Sequence, residues 1–169
     1  MNEWRVVPLG PEHVDSLAEC HIACWREAYR ELVPAHVLAA FDVRRGAARW
    51  ERTRAAGILR IMVAVHTDPV HGDTVIGFAS TGPARDESPV AAHELSAMYV
   101  RARWYGTGVS HDLMRAVLAE DADTYLWVFE ENPRALAFYR TCGFRLDGER
   151  RVEAFTPAIE VRMVRRASR

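Results

Sequence analysis

The chain is poor in cysteine, near neutral in charge and without a long apolar run. Its three cysteines, Cys20, Cys24 and Cys142, are an odd number with no CxxC spacing, which excludes a disulfide framework and reads as reduced, mostly buried thiols. No apolar stretch approaches the roughly 18 residues that a membrane span needs, and the N-terminus lacks the basic, apolar and small-residue order of a signal peptide. A cytoplasmic setting is therefore expected, with no membrane partner. The formal charge of -1 removes any global attraction to nucleic acid. Lysine is absent altogether, since all 22 Lys+Arg residues are arginine. Internal repeats, low-complexity linkers and a second-domain boundary are missing too, so residues 1–169 are expected to form one domain.

What is present is a change of period in the middle of the chain. Glu94-Leu95-Ser96-Ala97-Met98-Tyr99-Val100 alternates as a strand does, with Glu94, Ser96, Met98 and Val100 on one face. After a basic turn come Gly106 and Gly108, and then Val109, Leu113, Ala116 and Val117 recur at helical spacing. A glycine loop that opens a helix suits a phosphorylated ligand: the first-turn N–H groups are unpaired, the dipole end is positive, and glycine permits close approach. Arg101 and Arg103 add charge beside it.

A second stretch follows. The apolar strand Tyr125 to Phe129 meets Asn132, which caps a helix, and Pro133, which suits its first turn; Gly143 stops that helix. Together the two stretches resemble the central motifs of the GCN5-related N-acetyltransferase (GNAT) superfamily: Glu-Leu-x-x-x-Tyr-Val, a glycine loop entering a helix, then Asn-Pro-Arg-Ala-x-x-Phe-Tyr-x-x-x-Gly-Phe. The resemblance is close over the C-terminal half and looser before it. A dinucleotide-binding Rossmann domain also places glycines between strand and helix, but near its N-terminus and with a third glycine where Ser110 stands here.

The resemblance implies an α/β (α+β) single domain, with a mixed, mostly antiparallel sheet of about seven strands, a V-shaped splay between strands 4 and 5, and helices on both faces. It implies acetyl-CoA as co-substrate, its arm filling the splay against the backbone of Met98, Tyr99 and Val100. The loop Tyr105, Gly106, Thr107, Gly108, Val109 and Ser110 would hold the pyrophosphate, with Asn132 and Arg134 near the cofactor. Tyr139 matches the tyrosine that protonates the departing thiolate, and Glu94 a frequent general-base position. Two residues depart from the pattern. Tyr105 stands where Gln or Arg is usual, losing that side chain's charge or amide, and Ser110 stands where Gly or Ala is usual.

The chemistry wants such groups in any case. An aliphatic amine titrates near pH 10 and must lose a proton before attacking a thioester, so a carboxylate at a splayed strand is a reasonable base. A phenol is protonated at pH 7 and can serve the leaving sulfur. The resemblance implies transfer of acetyl to a primary amine of a small molecule or peptide, without a covalent enzyme intermediate. A non-catalytic acyl-CoA-binding domain and an enzyme for longer acyl groups are the alternatives. The chain offers no lysine of its own to acetylate. A homodimer through the C-terminal strands is common in the family.

Elsewhere, Trp4 to Pro8 reads as a strand, and Pro11 starts a helix carrying Val14, Ala18, Ile22, Trp25 and Tyr29. The family's acceptor wall lies in this region, so Trp25, Tyr29 and Phe41 are expected to face the substrate, Trp25 and Tyr29 holding the amine against aromatic faces and Glu27 or Glu31 attracting its charge. Helices are expected to about Ala40 and over Val43 to Ala56, the latter with Ala47 and Trp50 packing and its arginines in solvent. Leu59 to Val65, Thr74 to Ser80, Phe144 to Val152 and Ile159 to Val164 read as strands, and Pro83 to Pro89 as a loop. No metal is expected. Cys20, His21 and Cys24 have no second pair, and His66 and His71 read as loop histidines.

Overall fold

In the computed structural model, which describes residues 3–152, 154 and 156–168, the strand and helix patterns assemble into one mixed sheet with helices on both faces. The seven strands are β1 (Arg5–Pro8), β2 (Arg60–Asp68), β3 (Gly72–Pro83), β4 (His93–Val100), β5 (Thr124–Phe129), β6 (Arg145–Val152) and β7 (Ile159–Arg165), in the order β1-β2-β3-β4-β5-β7-β6. All neighbours are antiparallel except β4 and β5. The helices are α1 (Val14–Ala28), α2 (Ala35–Ala39), α3 (Val43–Ala56), α4 (Val109–Val117) and α5 (Pro133–Thr141).

Alternation along the strands divides the core. Ile61, Val63 and Val65 of β2 join Val75 and Phe78 of β3 under α1, against Leu17, Cys20 and Cys24. Met62 and Ala64 face the other way with Ile76 and Ala79, and meet Val109, Leu113 and Val117 of α4. Ala47 and Trp50 of α3 pack on the α1 side as expected. Gly143 has a φ of 90° and follows the last turn of α5, as the stop signal requires.

Most boundaries shift by a residue, Tyr29 becoming the C-cap just past α1, and two differ further. The helix expected from Pro11 begins as a 3-10 turn over Pro11–His13, and α1 proper starts at Val14. The β2 and β3 strands run further than their apolar cores, because Thr67 pairs with Asp73 and Asp68 with Gly72. Only residues 69–71 remain as the turn, with Asp68 accepting from the Val70 and His71 amides at 2.7 and 2.8 Å.

Candidate active site

β4 and β5 touch only at one end. His93 pairs with Thr124 and Glu94 with Tyr125, and from there the strands diverge, so Glu94 sits at the vertex of a V. On the β5 side, backbone groups along the rest of β4 face a gap, while β3 pairs with the opposite edge. The gap is the expected splay, and a cavity of about 790 Å³ occupies it, lined by β4 from Glu94 to Val100.

At one end of the cavity lies the glycine loop. Gly106 and Gly108 have φ values of 76° and 101°, which a side chain would strain, and Gly108 caps α4. Tyr105, Gly106, Gly108 and Ser110 line the cavity. Thr107 and Val109 do not: the Thr107 hydroxyl donates to the Trp104 carbonyl at 2.8 Å, and Val109 is fully buried in the core. Their side chains are thus engaged elsewhere, which leaves only backbone groups to face a ligand.

The structure resolves what Tyr105 does. The Arg134 guanidinium lies 3.6 Å from the centre of the Tyr105 ring, a cation–π contact that holds a positive charge at the mouth of the loop. A positive charge from α5 thus stands beside a loop residue whose own side chain carries none. Asn132 accepts from the Ala135 amide at 3.2 Å, capping α5 and aiming its first turn at the same cavity.

Tyr139 lies on α5, 8% exposed, against Phe138 and Phe144. Burial pushes its phenol well above the ordinary value, so it is fully protonated at neutral pH. It lines the cavity together with Met98 and Val100.

Glu94 is 2% exposed and heavily engaged. Its carboxylate accepts from Arg85 Nε at 2.9 Å, Nη2 at 2.5 Å and the backbone N–H at 3.2 Å, and from the Tyr125 hydroxyl at 3.2 Å. Burial alone would raise this carboxyl, but the hydrogen bonds and charge of Arg85, with Tyr125 adding to them, leave it below the ordinary range. An acid so stabilised as an anion is a weak proton acceptor.

Toward the open end of the V the cavity becomes aromatic. Trp25 and Tyr29 meet edge to face at 4.8 Å, Trp25 and Phe41 at 5.4 Å, and Tyr29 and Phe129 at 4.9 Å. Tyr99 joins them from β4, its phenol raised to about 12 by burial against hydrogen bonding from Tyr29 and Trp25. His21 completes this wall, with ring centroids 5.2 Å from Phe78 and 5.3 Å from Tyr99. Its Nδ1 accepts from the Trp50 indole N–H at 3.3 Å, which places the ring hydrogen on Nε2. Burial, reinforced by the charge of Arg49, lowers its pKa to about 4. Glu27 does not face this chamber. It accepts from Arg101 Nε at 3.0 Å and the Ala102 amide at 2.8 Å, tying α1 to the segment that leads into the glycine loop. Glu31 is exposed and is not part of the cavity wall.

Several lining residues had no local signal. Arg151 and Glu160 arrive from β6 and β7, paired at 2.7 Å, and only the sheet order brings them to the site. Trp127 and Phe129 share one face of β5, a pattern the sequence carries without naming its purpose.

A sheet splayed at one parallel pair, with a glycine loop and a wall of aromatic rings lining one cavity, defines an acyltransferase architecture. Residues 15–144 match the acetyltransferase (GNAT) family, and the chain belongs to it. It is 28% identical over 138 residues to an uncharacterised N-acetyltransferase of Bacillus subtilis, YuaI, covering 76% of this chain and 73% of that protein. An uncharacterised N-acetyltransferase of Mycobacterium tuberculosis is 30% identical over 126 residues, covering 70% of this chain and 74% of that one. Among solved structures, the PaiA N-acetyltransferase of Thermoplasma acidophilum in complex with coenzyme A superposes with a TM-score of 0.68 at 14% identity, covering 98% of this chain and 99% of that one. An acetyltransferase from Corynebacterium glutamicum gives 0.70 at 16% identity, over 99% and 98% of the two chains.

Proposed function

We propose that the protein transfers an acetyl group from acetyl-CoA to a primary amine of a small molecule or peptide, by direct attack of the amine on the thioester. The observation that carries this reading is the splay itself, which joins a phosphate-suited loop to a separate aromatic chamber through one cavity, with Tyr139 on its wall. The coenzyme A bound to the PaiA enzyme supports the choice of donor.

In this reading the amide groups of the loop, Arg134 and the first turn of α4 take the phosphates, and the exposed edge of β4 at Met98, Tyr99 and Val100 aligns the arm. The amine nitrogen bonds to the thioester carbon, the carbon–sulfur bond breaks, and sulfur leaves with the electron pair. Tyr139 donates its hydrogen to that sulfur as charge develops. Its raised pKa keeps the phenol protonated at neutral pH while making it a weaker acid, and the phenolate then recovers a proton from solvent. Glu94 takes the amine proton only through water and in competition with Arg85, so its larger service is to fix Arg85 at the chamber wall. Desolvation in the apolar chamber lowers the amine's own pKa and lightens the need for a strong base.

The test is thiol release from acetyl-CoA with a panel of amines, for wild type and Tyr139→Phe. A fall in kcat of about 100-fold or more at unchanged acetyl-CoA affinity and unchanged circular dichroism is expected. Unchanged kcat would remove Tyr139 from the acid role.

A further inference from the structure

The acceptor chamber has a composition that selects among amines. Its wall is built from rings: Trp25, Tyr29, Phe41, Tyr99 and Phe129 meet edge to face or tilted, and His21 is a neutral sixth ring. Among the described residues, two carboxylates line the cavity, Glu94 and Glu160. Both are held by arginines. Arg85 takes Glu94 through two side-chain nitrogens, and Arg151 takes Glu160 at 2.7 Å while lying 4.3 Å from the Trp127 ring centre. The outer carboxylate Asp86 is also shared, accepting from the Trp127 indole at 3.1 Å and lying 3.7 and 3.8 Å from Arg151 and Arg162.

The consequence is a matter of charge. One ammonium can rest on ring faces, which offer it their electron-rich surface. A second or third ammonium needs carboxylates of its own, and here they already serve guanidinium groups. Arg49 on the wall adds positive charge beyond these two ion pairs and disfavours a further cation. An apolar ring on the amine, by contrast, meets a wall of matching edges.

Resting on the acetyl-transfer reading, we infer that the acceptor is a singly charged primary amine carried one or two carbons from an aromatic ring, and that polycationic amines are rejected. That chemistry is shared by free arylalkylamines and by the N-terminal residue of a peptide beginning with phenylalanine or tryptophan.

The experiment measures kcat/KM with acetyl-CoA for 2-phenylethylamine, butylamine, spermidine, an aminoglycoside, and tripeptides beginning with Phe or with Asp. Calorimetry of 2-phenylethylamine and spermidine on the CoA-bound protein runs beside it. Phenylethylamine is expected to exceed spermidine by about 100-fold or more, the scale that burying one ring gives. Phe41→Ala should raise the amine KM about 10-fold with the acetyl-CoA KM unchanged. Phe41→Glu, which adds a carboxylate with no guanidinium assigned to it, should narrow the ratio to spermidine. A Phe-led tripeptide matching phenylethylamine would assign the peptide source, and a tripeptide at the butylamine level the free amine. Spermidine or the aminoglycoside turning over best, or butylamine equalling phenylethylamine, would overturn the inference. If no amine is turned over, selective calorimetric binding of phenylethylamine sustains the chamber's preference while the transfer reading falls. Equal or absent binding of both amines overturns the preference itself.

Discussion

Acidification should weaken this fold through one histidine in the acceptor wall. His21 is packed against Phe78, Tyr99, Trp25 and Trp50, and its Nδ1 is occupied by the Trp50 indole N–H. Protonating it would cost that hydrogen bond and place a cation among rings already facing Arg49, and burial with that charge lowers its pKa from 6.5 to about 4. The sign follows from the direction. Above pH 6.5 the ring is neutral in both folded and unfolded chains and contributes nothing to pH dependence. Below 6.5 the unfolded chain takes up a proton that the folded chain refuses, so stability falls as pH drops, and the loss levels off below the folded pKa. A pH of 5 lies about 1.5 units below the unfolded value of 6.5, and at about 1.36 kcal/mol per unit this group withdraws on the order of 2 kcal/mol. Urea unfolding at pH 8 and pH 5, for wild type and His21→Gln, isolates it, because titrations common to both proteins cancel. Glutamine keeps an acceptor for Trp50. Wild type should lose about 2 kcal/mol more than the variant between the two pH values. Parallel losses would refute the reasoning. So would a His21 imidazole resonance that titrates near 6.5 in the folded protein, a readout that needs no variant.

Tyr105→Leu should weaken CoA binding by about 3- to 30-fold, because Arg134 loses the ring that holds it, and Arg134→Ala should cost at least as much; calorimetry that finds Tyr105→Leu neutral while Arg134→Ala is costly would break the link between them. Arg85→Met should destabilise the fold by about 1–3 kcal/mol at pH 7, since buried Glu94 loses its strongest donors. The folded pKa of Glu94 is depressed, so the contribution exists above the unfolded carboxyl value near 4.5 and disappears as pH falls through the lower folded value. Urea titrations should therefore converge for wild type and variant on the acid side, and a difference that stays constant to pH 3 would count against the pairing.

How much of this was legible beforehand depended on how local each device is. Strand alternation at Glu94 to Val100, the glycine pair and the Asn132-Pro133 start are short-range signals, and each landed on the element expected. The splay followed from the family motifs and not from periodicity, which carries no information on which strands part company. Glu27 was read as a charge for the amine, and the structure turns it toward Arg101 and Ala102, 74 and 75 residues away, a pairing no spacing rule reaches. The same limit applied to Glu94, whose partner Arg85 comes from the polar loop between β3 and β4 and converts a prospective base into an anchored anion. Tyr105 is the instructive case. Read by itself it is a loss, a neutral ring where the family places a charge or an amide. In the fold it stands next to α5, and Arg134, two residues past the helix cap Asn132, lies across it. A departure in one motif is brought into contact with a residue of the other, so the two motifs must be judged together. The same logic makes the acceptor chamber legible only in three dimensions: a carboxylate on the wall attracts a cation only when no arginine already holds it, and both of those described here are held.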